Sequence, residues 1–230
     1  MGKAYLIFED KTVFEGHSLG SSGQVTGTVR PFNGMTGYQE FLTEPSCFGD
    51  IVCMTYPIIG NVGTSDSVNS SAKIHAKGII VREANPDPSS SSSEMAFDEW
   101  LTKNGCVGIC GVDTRSIIRH LKTKGKMNAV ITTNENPDIN QLAESAALYM
   151  PENILSKISS KEENFCCEGD KYKKIVCVID LGISSKEIAA LNSRGTRLVI
   201  LPYDTSADKI ISYKPDGIYI SNGPEVSRFD

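Results

Sequence analysis

The sequence has no run of the ~18 consecutive apolar residues that a membrane-crossing helix needs, so no helical membrane anchor is expected. Its first residues, Met1-Gly2-Lys3-Ala4-Tyr5, lack the apolar core of a secretory signal. Leu6 stands where an N-myristoylation signal requires Ser or Thr. A cytosolic location is the resulting expectation. Positive charge is also short: 23 Lys and Arg against 28 Asp and Glu leave a net charge of −5. Neither nucleic acid nor an anionic membrane surface is therefore an expected partner. The local group Lys171, Lys173 and Lys174 reads as the solvated flank of a linker.

Histidine is scarce, at three residues, and the seven cysteines form no framework. They stand at 47, 53, 106, 110, 166, 167 and 177, an odd count without paired spacing, which fits reduced thiols better than a disulfide scaffold. Cys106 and Cys110 have no second Cys or His pair at zinc-finger distance, so no metal site is expected and the thiols read as small buried hydrophobes. With 40% apolar and 22% charged residues, the chain can bury the core of one large or two modest globular domains.

Along the chain, residues 4–8 and 12–15 read as a hairpin around Asp10-Lys11, and 50–56 and 78–82 as β-branched strands. A loop is expected at the serine run 89–93. The pattern then predicts a helix over 94–104 with Phe97, Trp100 and Leu101 on its core side, and a strand over 107–110. Asp113 is placed to cap a helix that runs to Lys124, with Ile117, Ile118 and Leu121 inward and Gly125 ending it. A strand follows at 127–132, and Asn136-Pro137 reads as a helix start. Periodicity fades from 151 to 174, which predicts a linker between a first domain, 1–150, and a second, 175–230. There the pattern changes: 175–180 and 197–202 are continuous apolar strands, as expected for strands covered on both faces. Ser184 and Glu187 form a capping box, 206–213 is a short helix and 217–222 a third strand. Strand, helix, strand, helix, strand implies a parallel sheet, and the fold class is α/β.

Several ordered motifs carry a family resemblance. They are Gly34-Met35-Thr36-Gly37-Tyr38-Gln39-Glu40, Leu42-Thr43-Glu44-Pro45-Ser46, Thr55-Tyr56-Pro57-Ile58-Ile59-Gly60-Asn61-Val62-Gly63 and Gly111-Val112-Asp113-Thr114-Arg115, with Arg119-His120-Leu121 after it. Later come Val178-Ile179-Asp180-Leu181-Gly182, Pro202-Tyr203-Asp204-Thr205-Ser206-Ala207 and Ser221-Asn222-Gly223-Pro224. Together they resemble the small, glutamine-hydrolysing subunit of carbamoyl-phosphate synthase, a ligase. From the residues themselves, Gly34 and Gly37 are expected in turn conformations closed to other residues, with Pro57 and Gly60 bracketing another bend.

The resemblance implies an N-terminal swivelling β/β/α domain that contacts a large subunit, then part of a flavodoxin-like class I glutamine amidotransferase domain. It implies that glutamine is hydrolysed there and ammonia passed on for carbamoyl phosphate synthesis, in either the arginine or the pyrimidine pathway. ATP and magnesium would sit on the large subunit, and this chain needs no cofactor of its own. Two contacts to L-glutamine carry over: Ser46, and Gly223 as an oxyanion-hole N–H just past a parallel strand.

No catalytic residue carries over. The family uses an elbow cysteine with a later His and Glu, and none of these follows Gly223. Gly108-Ile109-Cys110-Gly111 only superficially resembles that elbow, and His17, His75 and His120 fall at none of the family's catalytic positions. Glu225-Val226-Ser227-Arg228 replaces the usual Gly-Asp-Pro, and Glu225 would repel a bound carboxylate. Ser184-Ser185-Lys186 stands in place of a usual Lys-Arg-Asn. The expectation is a truncated glutaminase chain, inactive alone and marginal from residue 175 onward. The alternative is a non-enzymatic module that binds the large subunit or itself.

Overall fold

The computed structural model describes residues 2–91, 93–151, 153–166 and 172–224. Cys167, Lys171 and the segment from Glu225 to Arg228 lie outside the described residues. The chain divides into two compact units, one of residues 1–43 and 49–151, the other of 44–48 and 152–230.

In the first unit the strands are β1 (Lys3–Phe8), β2 (Val13–Gly20), β3 (Gln24–Phe32), β4 (Asp50–Met54), β5 (Ile58–Ile59), β6 (Gly78–Ile80), β7 (Glu83–Ala84), β8 (Val107–Cys110) and β9 (Asn128–Thr132). Its helices are α1 (Tyr38–Leu42), α2 (Phe97–Lys103), α3 (Thr114–Lys124) and α4 (Ile139–Ala147). Seven strands close into a barrel in the order β1-β2-β8-β6-β4-β3-β9, while β5 and β7 form a separate two-stranded pair. Closure comes from β9, which pairs antiparallel with both β1 and β3. The period of two sets the two faces of β1. Ala4, Leu6 and Phe8 join Ile51, Ile80, Ile109 and Ile131 in the barrel core, all 0% exposed. Ile7 points the other way and packs with Val130 against Leu142, Ala143 and Ala146 of α4.

Local chemistry explains the ends of these elements. Asp10 Oδ1 accepts from Thr12 N–H at 3.0 Å and holds the β1–β2 turn, in which Lys11 takes φ 69°. Asp113 Oδ1 accepts from the N–H groups of Arg115 and Ser116, both at 3.1 Å, and Gly125 ends α3 at φ 90°. Ile117 and Leu121 of that helix enter the barrel core. Phe97 and Trp100 are buried and stack at 6.1 Å, so this pair is core.

The structure corrects three local expectations here. The helix expected from 94 begins at Phe97, because Glu94 is engaged by Ser65 and by Asp66 N–H. Asp138 caps α4 by accepting from Gln141 N–H at 3.1 Å, while Asn136 N–H is drawn into a turn by Asn134. Gly37 does take a left-handed φ of 78°, but Gly34 does not. A Cβ at Gly34 would fall 2.5 Å from the Phe32 ring, so that position needs its missing side chain.

The second unit contains α5 (Ile154–Ile158), β10 (Asn164–Cys166), β11 (Lys174–Asp180), α6 (Ser185–Asn192), β12 (Thr196–Pro202), α7 (Ala207–Ser212) and β13 (Gly217–Ile220). Its sheet runs β10-β12-β11-β13. The β11–β12 and β11–β13 pairs are parallel, whereas β10 joins β12 antiparallel. The stretch expected as a linker thus carries a helix and an edge strand, and the sheet has four strands rather than three. Strand β10 is held by its ladder with β12, and its Phe165 lies edge-on to Tyr213 at 6.2 Å. Cys177, Val199 and Leu201 pack with Ile210 of α7, while Val178, Leu198 and Ile200 pack with Ile188 and Leu191 of α6. Helices on both faces account for the unbroken apolar runs. The box at the start of α6 forms in full: Ser184 Oγ accepts from Glu187 N–H, and Glu187 Oε2 accepts from Ser184 N–H at 2.9 Å.

Candidate functional site

Because β11 and β13 are parallel, their C-terminal ends meet at one edge of the second unit, where open parallel sheets place their ligands. Asp180 ends β11 and is 6% exposed. Its Oδ1 accepts from Gly182 N–H at 2.8 Å and Ile183 N–H at 2.9 Å, and its Oδ2 from Ser160 N–H at 2.7 Å. A carboxylate bound by three amides is fully used in holding the turn after the strand. Beside that turn, Leu181 N–H donates to Ser221 Oγ at 2.9 Å and Ser221 N–H to Ile179 O at 3.1 Å. These bonds carry the chain to Gly223, which is half-buried. A Cβ at Gly223 would lie 3.3 Å from Leu181 O, so the backbone packs closely on one side.

Ser46 sits in a one-turn 3-10 helix, Pro45–Cys47, closed by Cys47 N–H to Glu44 O at 3.0 Å and Phe48 N–H to Pro45 O at 3.1 Å. The segment 44–48 is part of the second unit although its sequence neighbours belong to the first. Gly182 is what admits it. With φ at 114°, a Cβ there would fall 2.9 Å from Pro45 Cβ and 3.8 Å from Asn222 O. The structure therefore brings the Ser46 turn and the Ser221-Asn222-Gly223 strand end together beside Gly182. Sequence reasoning gave no role to Asp180, Gly182 or Ser221. The available signal was an Asp-x-Gly at the end of an apolar strand, since a carboxylate there can only be buried if amides bind it.

Cys110 is not at this site. It lies in β8, paired opposite His17, and burial raises its thiol above the ordinary range, the opposite of what a nucleophile needs. Burial pushes Cys53 and Cys106 up to about 12. All three imidazoles lie in the first unit. His17 is on β2, and His120 faces Asp10 at 3.0 Å with its ring edge-on to Phe8. His75 is buried with Nε2 2.9 Å from Ser71 Oγ; burial, aided by the Lys73 charge, lowers its pKa to about 4. Among the described residues no three His, Cys, Asp or Glu side chains stand together as a metal cage.

Residues 6–131 match the family model described as the CPSase domain of the carbamoyl-phosphate synthase small chain. The carbamoyl phosphate synthase small chain of Clostridium acetobutylicum is 40% identical over 224 residues, covering 96% of this chain and 62% of that one. The same-named protein of Chlorobaculum tepidum is 37% identical over 225 residues, covering 96% and 61%. That of Lactococcus lactis subsp. lactis is 36% identical over 224 residues, covering 97% and 62%. The chain thus spans about three-fifths of the length of the curated relatives it matches.

Proposed function

Since the chain belongs to the carbamoyl-phosphate synthase small-chain family, we propose that its second unit is the glutamine-binding part of a class I, flavodoxin-like glutaminase domain. The observation that carries this reading is the transfer of the Pro45–Cys47 turn into the unit that holds the strand end at Gly223. Ser46 then offers a hydroxyl, and Gly223 a backbone N–H, to one small polar substrate. An amide of the size of glutamine's has a carbonyl to receive the N–H and polar ends to receive the hydroxyl. During attack on that carbonyl, the Gly223 N–H would face the oxygen on which negative charge develops.

These residues orient and polarise; they do not attack. No histidine follows His120 in these 230 residues, so this stretch supplies substrate contacts and not the base for attack. In the whole protein, ammonia released here would pass to a large chain that uses ATP and magnesium. Isotope-detected titration of the chain with L-glutamine tests the reading. Shifts should concentrate at Ser46, Gly182 and Gly223, and Ser46→Ala should weaken binding by roughly tenfold, the ~1.4 kcal/mol of one hydrogen bond. Shifts elsewhere, or an unchanged affinity in Ser46→Ala, would count against it.

A further inference from the structure

Buried His75 stands 2.9 Å from Ser71 Oγ in the first unit, and glutamine binding as proposed above gives neither residue a task. A serine and a histidine at that distance have the spacing of a nucleophile and its base. Here the hydroxyl is turned elsewhere. Ser71 Oγ carries one proton, and two carbonyls lie within its reach, Thr43 O at 2.7 Å and Lys73 O at 3.3 Å. The proton goes to the nearer one, and a lone pair of the hydroxyl receives His75 Nε2–H. The imidazole thus orients the hydroxyl instead of deprotonating it. The pair is a clasp on Thr43.

More bonds from the same loop converge on residues 42 and 43. Ser70 N–H donates to Thr43 Oγ1 at 2.9 Å, and Leu42 O accepts from His75 N–H at 2.9 Å and from Ala76 N–H at 3.3 Å. Thr43 is also tied to its own helix, its Oγ1 donating to Gln39 O at 2.8 Å and its N–H to the same oxygen at 3.1 Å. Leu42 and Thr43 are both buried, so breaking one of these bonds leaves a polar group without a partner. The next residue, Glu44, opens the segment 44–48 that belongs to the second unit. Beyond it the chain is held in the first unit again: Gly49 O accepts from Thr28 N–H and from Tyr149 Oη, both at 3.3 Å. The Ser46 turn is therefore a short span fixed at both ends. Fully extended, 44–48 would reach only about 17 Å, so the positions of its ends constrain its middle.

We propose that Ser71 and His75 are positioning residues for the glutamine site: by holding Thr43 they set where Ser46 presents its hydroxyl to the amide substrate. The inference rests on the amide-binding reading for its ligand, whereas the hold on 44–48 is present without one. With the clasp loosened, Ser46 spends less time in the binding position, and affinity falls in proportion to that lost population.

The test is Ser71→Ala in the full chain, read by titration with L-glutamine and by hydrogen exchange without ligand. Affinity should fall about fivefold, within the range of one hydrogen bond. Ser71→Thr, which keeps the hydroxyl, should stay within about twofold of the parent. So should Ser67→Ala, which removes a nearby exposed hydroxyl bonded to Ser65 instead of to Thr43. In the Ser46→Ala background, Ser71→Ala should cost less than about twofold, because the group it positions is gone. A serine that merely stabilised the fold would weaken binding equally in both backgrounds, and that result overturns the proposal. Without ligand, Ser71→Ala should quicken exchange about fivefold at Cys47 and Phe48, whose amides close the turn, and leave Gly182 N–H unchanged. Exchange at Cys47 and Phe48 within about twofold of the parent also overturns it. An unaltered glutamine affinity in Ser46→Ala alone would instead fail the amide-binding reading, and the ligand-free exchange would still decide whether the clasp holds the turn.

Discussion

The barrel and the open sheet solve the same problem with different completeness. In the first unit every barrel strand has two neighbours, so the barrel itself has no open ladder edge. In the second unit β13 pairs, among the described residues, with β11 alone, and its Ile218 and Ile220 are 58% and 65% exposed. The contrast lies in burial rather than composition, since both units are rich in Ile and Val. A β-branched residue contributes its full hydrophobic share only where closure or a helix covers it.

The sharpest way to break this comparison is a matched pair of truncations followed by urea denaturation. Phe8→Ala removes a ring that is 0% exposed in the closed barrel and should cost about 3–5 kcal/mol. Ile220→Ala should cost no more than about 0.5 kcal/mol. Equal losses would show that the two units share one level of packing.

Acid offers a second probe, confined to the first unit. The His75 pKa falls from 6.5 in the unfolded chain to about 4 in the folded one, through burial and then the Lys73 charge. Between those values the unfolded chain binds the extra proton. Stability is therefore complete above pH ~6.5, declines as pH falls towards ~4 and then levels, a loss of up to about 3 kcal/mol. His75→Gln should flatten that slope, and an unaltered slope in the variant would remove His75 as its cause.

The most local probe, and the one closest to the candidate site, is Gly182→Ala. The new methyl meets Pro45 at 2.9 Å on a backbone of φ 114°, so a cost of about 1–3 kcal/mol is expected. Hydrogen exchange should quicken at 46–48 and 180–183 and stay unchanged in the barrel. Unchanged exchange at Cys47 would mean that the Ser46 turn is held by other contacts.

Legibility in the sequence followed the range of the interactions. The Asp113 cap, the Ser184–Glu187 box and the two-sided burial of β11 and β12 were all readable, because each depends on residues a few positions apart or on one strand's own pattern. The cap of α4 was misplaced because Asn136 and Asp138 compete for it, and only backbone geometry decides between such neighbours. Residues 151–174 read as a linker because α5 and β10 are too short to show a period, and β10 exists only by pairing with β12. For the site, Ser46 and Gly223 were reached through family motifs, whereas the supporting Asp180 and Ser221 were not.

By itself the sequence determined the fold class, most element positions and the family, since these rest on local pattern and ordered motifs. Only the tertiary structure decided that β9 closes the barrel, that the turn at 44–48 joins the second unit, and that Ser71 holds the carbonyl of Thr43. Each of these outcomes joins residues 20 or more positions apart, and no periodicity within a short window encodes such a distance.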